Sequence, residues 1–381
     1  MNSNLNIKNV FNCEKFYLLN IARTFAALSV VFLHYQHFYY IGDRLNKEFK
    51  FETQPFYEIL ERVYLFGSVA VQFFFVLSGF IFFFAYKNKI YSKKINFKNF
   101  LILRISRLWP LHLLTLFMVA FLQLYHIQLN ELFFVYSGND LKNFFLHFFL
   151  IQEWRLEAEF GFNGPSWSLS VEIFLYVAYF FIARKTLNNL FESFFFLILL
   201  LIINYLFGSN NIIIGLICFY IGGLTFFISR YLIFLNKPIY KLIFLFVIIL
   251  LDIIIFGKFL NLFFLEIGNY LKFFLGERIL FFLYFIKFPL IIINLTLIQN
   301  IVPDLGKSLN LFGEISYTIY LIHFPIQLIF SLINNNISRL DFSSNNIFLI
   351  YIFTVFLVSI LVFIIYENPV KKIMRLKFLE K

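Results

Sequence analysis

Apolar residues run through this chain in long blocks, separated by short clusters of charged and polar residues. Blocks of about 20 apolar residues match the hydrocarbon core of a bilayer rather than one face of an amphipathic helix. On that criterion the sequence predicts helices at about 17–40, 65–86, 105–125, 167–184, 191–208, 211–230, 239–257, 279–299, 314–333 and 346–367. A further stretch at about 142–151 is too brief to cross and is expected at the membrane interface. The expected fold class is therefore all-α: a polytopic integral membrane protein of about ten transmembrane helices, with both termini on one side. The chain, 1–381, reads as a single transmembrane domain with a core at about 15–370 and a short basic tail at 368–381.

The charges between the blocks orient this arrangement. A cytoplasmic N-terminus puts Lys8, Lys15, Arg23, Lys87, Lys89, Lys93, Lys94, Arg104, Arg107, Arg184, Lys185, Arg230 and the basic tail on the cytoplasmic side, as the positive-inside rule requires. Both termini are then cytoplasmic. Acidic residues such as Asp43, Glu48, Glu131, Asp140 and Glu159 fall on the far side. The longest loop there, about 126–166, is of the size that is usually functional or disordered.

Composition narrows the class further. Of 381 residues 61% are hydrophobic and 14% charged, against about 45–50% and about 25% in soluble domains, which excludes an ordinary soluble enzyme, a disordered chain and a DNA-binding module. The net charge of +11 is a topology signal, so no nucleic-acid partner is expected. The 61 phenylalanines carry no functional weight. Cys13 and Cys218 lie in unrelated segments and support neither a disulfide framework nor a metal site. No small-residue cleavage site follows the first apolar block, so that block is expected to stay as a helix.

Ionisable residues inside apolar spans are expensive and are functional candidates by default. Arg23 and His34 lie on nearly the same face of the first helix, about 16 Å apart along its axis. Ser78-Gly79 interrupts an aromatic run in the second, where close packing is the favoured reading. Arg104 and Arg107, at i and i+3 just before the third helix, share a face that could hold a polyanion or anchor the chain at the interface. Ser166-Trp167-Ser168 opens the fourth helix, with Glu172 one turn beyond Ser168 on the same face. A carboxylate there needs a partner, and a histidine is an obvious one. Ser316, Tyr320 and His323 form a polar stripe near the C-terminus, with Tyr317 beside it. Lys287 and Asp252 are isolated candidates.

In order along the chain, Arg23-x₁₀-His34, Phe-Val-Leu-Ser78-Gly79-Phe, Arg104-x₂-Arg107 with Pro110, Trp167-Ser168-Leu-Ser-Val-Glu172 and Ser316-Tyr317-x-Ile-Tyr320-Leu-x-His323-x-Pro325 resemble the acyltransferase-3 family. The resemblance runs from about residue 15 to about 370 and closes on Tyr366-Glu367-Asn368-Pro369. It implies a membrane-bound O-acyltransferase of the bacterial cytoplasmic membrane. The implied reaction moves an acyl group, usually acetyl, from cytoplasmic acetyl-CoA or another acyl-CoA to a hydroxyl of a surface carbohydrate or lipid-linked glycan. No bound cofactor is implied; acyl-CoA is a substrate, and membrane lipid is the surroundings. His34 matches the family's essential histidine and Arg23 the arginine paired with it; Arg104 and Arg107 match the arginine pair linked to donor binding, and Arg23 is grouped with them as donor-binding. On chemistry, Glu172 is expected to orient His34, with Ser78, Trp167, Ser168, Tyr317, Tyr320 and His323 lining the pocket. The short tail resembles members without a hydrolase-like C-terminal domain. Asn20 replaces the aspartate that commonly pairs with the first arginine, Leu108 replaces an isoleucine, and His112 stands where an aromatic residue often follows the proline.

The rival reading from the same intramembrane polar residues is a glycan-lipid flippase or proton-coupled transporter, with His34, Glu172 and His323 as a relay. A structural scaffold is a third.

Overall fold

A computed structural model describes residues 11, 15–155, 158–186, 189–235, 280 and 282–379. Among them, nine helices are long and apolar enough to cross a membrane, and they match the predicted blocks one for one. The block at 239–257, with Asp252, lies outside the described residues.

The chain begins with α1 (Tyr17–His34), which runs on as a 3-10 turn to Tyr39 and into a hairpin pairing Tyr40 with Leu45 and Ile41 with Arg44. Next come α2 (Tyr57–Phe66) and α3 (Ala70–Ala85), then α4 (Phe97–Asn130). The short helix α5 (Leu141–Phe148) is where a non-crossing segment was expected. It is followed by α6 (Trp167–Lys185), α7 (Leu190–Phe207), α8 (Asn211–Leu235) and α9 (Phe288–Ile301). The chain closes with α10 (Ser316–Asn336), α11 (Asn345–Val362) and α12 (Asn368–Phe378).

The chain folds into two compact units, each assembled from segments distant in sequence. The first takes Met1–Arg23, Val71–Ile95 and Ala178–Gly313. In it α3 and α8 meet backbone to backbone: a Cβ on Gly79 would stand 1.9 Å from the Phe219 carbonyl oxygen, and one on Gly222 1.9 Å from that of Val76. Packing is thus what the Ser78-Gly79 pair provides, and rings of Phe80, Phe82, Phe83, Tyr179 and Phe219 fill the surrounding space.

The second unit takes Thr24–Ala70, Asn96–Val177 and Glu314–Lys381. Its longest element, α4, has 34 residues, about 50 Å of helix against a hydrocarbon core of about 30 Å. It starts eight residues before the predicted block, because the Asn96 side chain caps it by accepting from the Asn99 amide at 2.7 Å. Arg104 and Arg107 are therefore inside the helix and not before it. Pro110 removes one rung of the helix ladder. Two later side chains bind carbonyls beside it, Tyr317 Oη donating to Leu108 O at 2.5 Å and Tyr366 Oη to Pro110 O at 3.2 Å.

Described residues of the long loop between α4 and α6 belong to the core of this unit. Phe134, Val135 and Phe162 are buried with Leu116 and Val119 of α4 and Phe324, Leu328 and Leu332 of α10. Its polar groups are tied down as well: His112 Nε2 donates to His147 O at 2.7 Å, and His147 Nδ1 lies 3.2 Å from Ser166 Oγ. Asn163 Nδ2 donates to Leu321 O at 3.0 Å, fastening the loop to α10.

Candidate active site

Within the second unit, the end of α1 meets the middle of α10. His34 Nδ1 stands 2.8 Å from His323 Nε2, and the rings lie nearly parallel with centres 5.1 Å apart. Gln327, one turn beyond His323, donates from Nε2 to the His34 carbonyl at 2.6 Å. His323 is fully buried, whereas His34 is half-buried.

The carbonyls of Ile319 and Tyr320, one turn back on α10, act on the His323 ring, whose buried Nδ1 makes no full hydrogen bond. Those carbonyls favour the tautomer with the hydrogen on Nδ1, in which His323 Nε2 is the acceptor. His34 Nδ1 is then the donor across the 2.8 Å contact. The Nε2 of His34 is left with its lone pair bare, and it has no hydrogen-bond partner among the described residues.

From His323 a line of polar side chains runs back along α10 toward its start. Tyr320 Oη donates to Pro165 O at 2.7 Å and lies 2.9 Å from Ser168 Oγ. Tyr317, three residues earlier, is within electrostatic reach of Glu172, Glu367, Tyr176 and Arg107. Tyr317 to His323 is six residues, about 9 Å of helix rise. Glu172 acts on both Tyr317 and Tyr320, and its hydroxyl donor is Tyr176.

At the far end of this line are the cations. The Arg104 guanidinium lies over the Tyr176 ring, 5.9 Å from its centre. Arg107 is within electrostatic reach of Glu367 and Lys371, and Arg375 binds α4 through Ser106 Oγ at 3.1 Å and Leu103 O at 3.3 Å. The buried Glu367 accepts from Thr318 Oγ1 at 2.5 Å. Cations from α4 and α12 are thus gathered with the carboxylates of Glu172, Glu314 and Glu367 in a cluster of both signs, and its guanidinium groups are of the kind that bind a polyanion.

The site therefore unites His34, His323, Tyr320, Ser168, Tyr317, Glu172, Arg104 and Arg107. Sequence reasoning offered Glu172 as the group that orients His34 or stabilises its cation; the structure sets His323 in hydrogen-bond contact with His34, and Tyr176 donates to Glu172. Trp167 is partly buried at the first position of α6. Arg23 and Ser78 belong to the first unit. Arg23 Nη1 donates to Asn20 Oδ1 at 3.5 Å, so the asparagine still contacts the arginine where an aspartate was noted as missing. The sequence reading passed over His37 and Gln327, and took Glu367, Lys371 and Arg375 as closing motif and basic tail rather than as part of a site. His37 and Gln327 extend two recognised stripes by one turn, at i+3 from His34 and i+4 from His323, and helical periodicity alone could have picked them out.

Comparison with known proteins decides the family. The acyltransferase-3 family model, described as "Acyltransferase domain", matches residues 16–366. The chain belongs to the acyltransferase-3 family. Its matched region covers every site residue named above except Glu367, Lys371 and Arg375. Acyltransferase MdmB of Streptomyces mycarofaciens is 30% identical over 159 residues, which span 41% of this chain and 36% of MdmB. No solved structure matches this chain.

Proposed function

We propose that this membrane acyltransferase carries an acyl group, acetyl in the simplest case, from cytoplasmic acyl-CoA to a hydroxyl of a surface carbohydrate or lipid-linked glycan. The observation that carries the reading is the bare Nε2 of a half-buried His34, backed by a fully buried His323 and joined by a polar line to an arginine pair. Coenzyme A has phosphates at one end and a thioester at the end of an extended arm. A site for it needs cations at the membrane surface and a base deeper in, in that order.

In the proposed reaction His34 Nε2 takes the proton of the acceptor hydroxyl as the oxygen attacks the thioester carbonyl. The charge that develops on the His34 ring is shared through Nδ1–H with the His323 lone pair. When the tetrahedral centre collapses, the carbon–sulfur bond breaks and the thiolate recovers the proton from His34. The products are an ester and free CoA thiol, and His34 returns to its starting form. Arg104 and Arg107 hold the donor phosphates, with Lys371 adding charge beside them. Ser168, Tyr320 and Tyr317 are the hydroxyls that face the arm, and both termini and the arginine end lie on the cytoplasmic side of a bacterial inner membrane.

The test is a mass comparison of the surface glycan from cells carrying the wild-type gene, the His34→Ala gene or none. The reading expects the mass of one acyl group on the glycan only with the wild type, together with thiol release from acyl-CoA by the purified protein. Movement of unmodified glycan-lipid across the membrane by both proteins would replace it with a transport function.

A further inference from the structure

His34 is stacked on a second imidazole. The rings of His34 and His37 are 18° from parallel, with centres 4.6 Å apart. His37 Nδ1 lies 3.1 Å from Gln327 Oε1, and the same amide donates from Nε2 to the His34 carbonyl. A carbonyl can only accept, so it fixes which end of the Gln327 amide is nitrogen and turns Oε1 toward His37. In neutral His37 the hydrogen is thus on Nδ1, and Nε2 is bare. As in His34, that nitrogen has no hydrogen-bond partner among the described residues.

The two bare nitrogens also point the same way. Both rings hang by Cγ from the end of α1 and its 3-10 extension, and both turn Nδ1 toward α10, one to His323 and one to Gln327. Two near-parallel rings that both turn Nδ1 toward α10 carry both Nε2 atoms on the side away from it. The rings of Tyr40 and Tyr136 stand edge-on to His37, 5.4 and 5.7 Å from it, and give the position beside it an aromatic wall.

We infer that His34 and His37 together read a vicinal diol: one hydroxyl of the acceptor donates to His34 Nε2 and is acylated, and its neighbour donates to His37 Nε2 and keeps its proton. A hydroxyl reaches its acceptor at about 2.8 Å, so two hydroxyls on adjacent carbons fan out to nitrogens on rings 4.6 Å apart. A diol with both oxygens donating fits a pair of acceptors, whereas a lone alcohol leaves His37 unmatched. This rests on the acyl-transfer reading and adds the substrate class, an acceptor whose reacting hydroxyl has a free hydroxyl next to it. His37 is a specificity residue in this scheme and takes no proton.

The experiment has two arms. In the first, purified wild-type protein and His37→Phe, which keeps the ring stack, are supplied with acetyl-CoA and either cyclohexane-1,2-diol or cyclohexanol. The diol is expected to win in the wild type by about tenfold in kcat/KM beyond the twofold statistical factor, the discrimination one hydrogen bond supplies. In His37→Phe the ratio is expected to fall to the statistical value. Equal use of both alcohols by the wild type, or a ratio untouched by the substitution, overturns the inference. In the second arm, nitrogen NMR of histidine-labelled wild-type protein reads the Nε2 of His34 and His37 before and after the diol is added, with no turnover required. Both are expected as unprotonated nitrogens that shift with the diol and not with cyclohexanol; a hydrogen on either Nε2, or no difference between the alcohols, overturns it. Diol-specific shifts without thiol release would leave the diol site standing and remove the acyl-CoA reading instead.

Discussion

His34 and His323 are 289 residues apart in sequence and 2.8 Å apart in space, and one hydrogen bond gives the two rings different jobs. The buried ring holds position and tautomer; the half-buried ring presents a lone pair. This is the division of labour that a base and its orienting group need.

The two rings should accordingly respond differently to replacement. His34→Ala is expected to cost about 10²–10⁴ in acyl transfer, the range of general-base catalysis. His323→Asn, which keeps a hydrogen-bonding group opposite Nδ1, should lower kcat by less and leave the KM for acyl-CoA in place. Steady-state kinetics on purified protein separates the two, and equal losses in both variants would assign His323 more than a positioning role.

The arginine end predicts a different kinetic signature. Arg104→Ala or Arg107→Ala is expected to raise the KM for acyl-CoA about 10–100-fold, the value of a charge-assisted hydrogen bond, with a smaller effect on kcat. An acyl-pantetheine donor, which lacks the nucleotide phosphates, should be used equally well by wild type and variants. Loss of protein from the membrane without a change in KM would instead make the pair an anchor.

Packing between α3 and α8 sets a stability test far from the chemistry. A methyl on Gly79 or Gly222 would sit 1.9 Å from a carbonyl oxygen of the facing helix, so the helices must part. Gly79→Ala and Gly222→Ala are each expected to destabilise by about 1–3 kcal/mol, measured as a lower thermal midpoint in detergent. An unchanged midpoint would mean the helices shift at no cost.

His147, outside the spanning segments, makes the loop between α4 and α6 sensitive to acid. Burial first, then His112 and Arg155, holds it down from 6.5 to about 3. Between those values the unfolded segment binds a proton that the folded one refuses, so stability is complete above about 6.5 and falls as pH drops toward 3. Hydrogen exchange across residues 141–155, corrected for intrinsic rates, should quicken as pH falls from 7.5 to about 5. His147→Gln should flatten that dependence.

How much of this was legible in the sequence varies with range. Hydrophobic blocks located the nine described spans because a bilayer imposes length on each helix separately. The start of α4 was misplaced, since Lys98, Arg104 and Arg107 lower hydropathy without interrupting a helix that Asn96 caps. Periodicity placed Tyr320 and His323 on one face and His34 on another helix, but it says which residues share a face and never which faces meet. That is why a carboxylate was offered as the neighbour of His34 and a histidine was found. The loop around Phe134, Val135 and Phe162 was unreadable for another reason: irregular backbone has no period, so its burial shows only in three dimensions.

That loop has a consequence for how acceptor choice could be altered. Phe134, Val135 and Phe162 share one core with Phe324 and Leu328, which flank His323 and Gln327 on α10. The loop is thus mechanically coupled to the helix that holds His323 and Gln327, and neither can be exchanged alone. A chimera that imports this loop from a relative must import the matching faces of α4 and α10 with it, so acceptor range in this lineage would change by whole modules rather than by single substitutions.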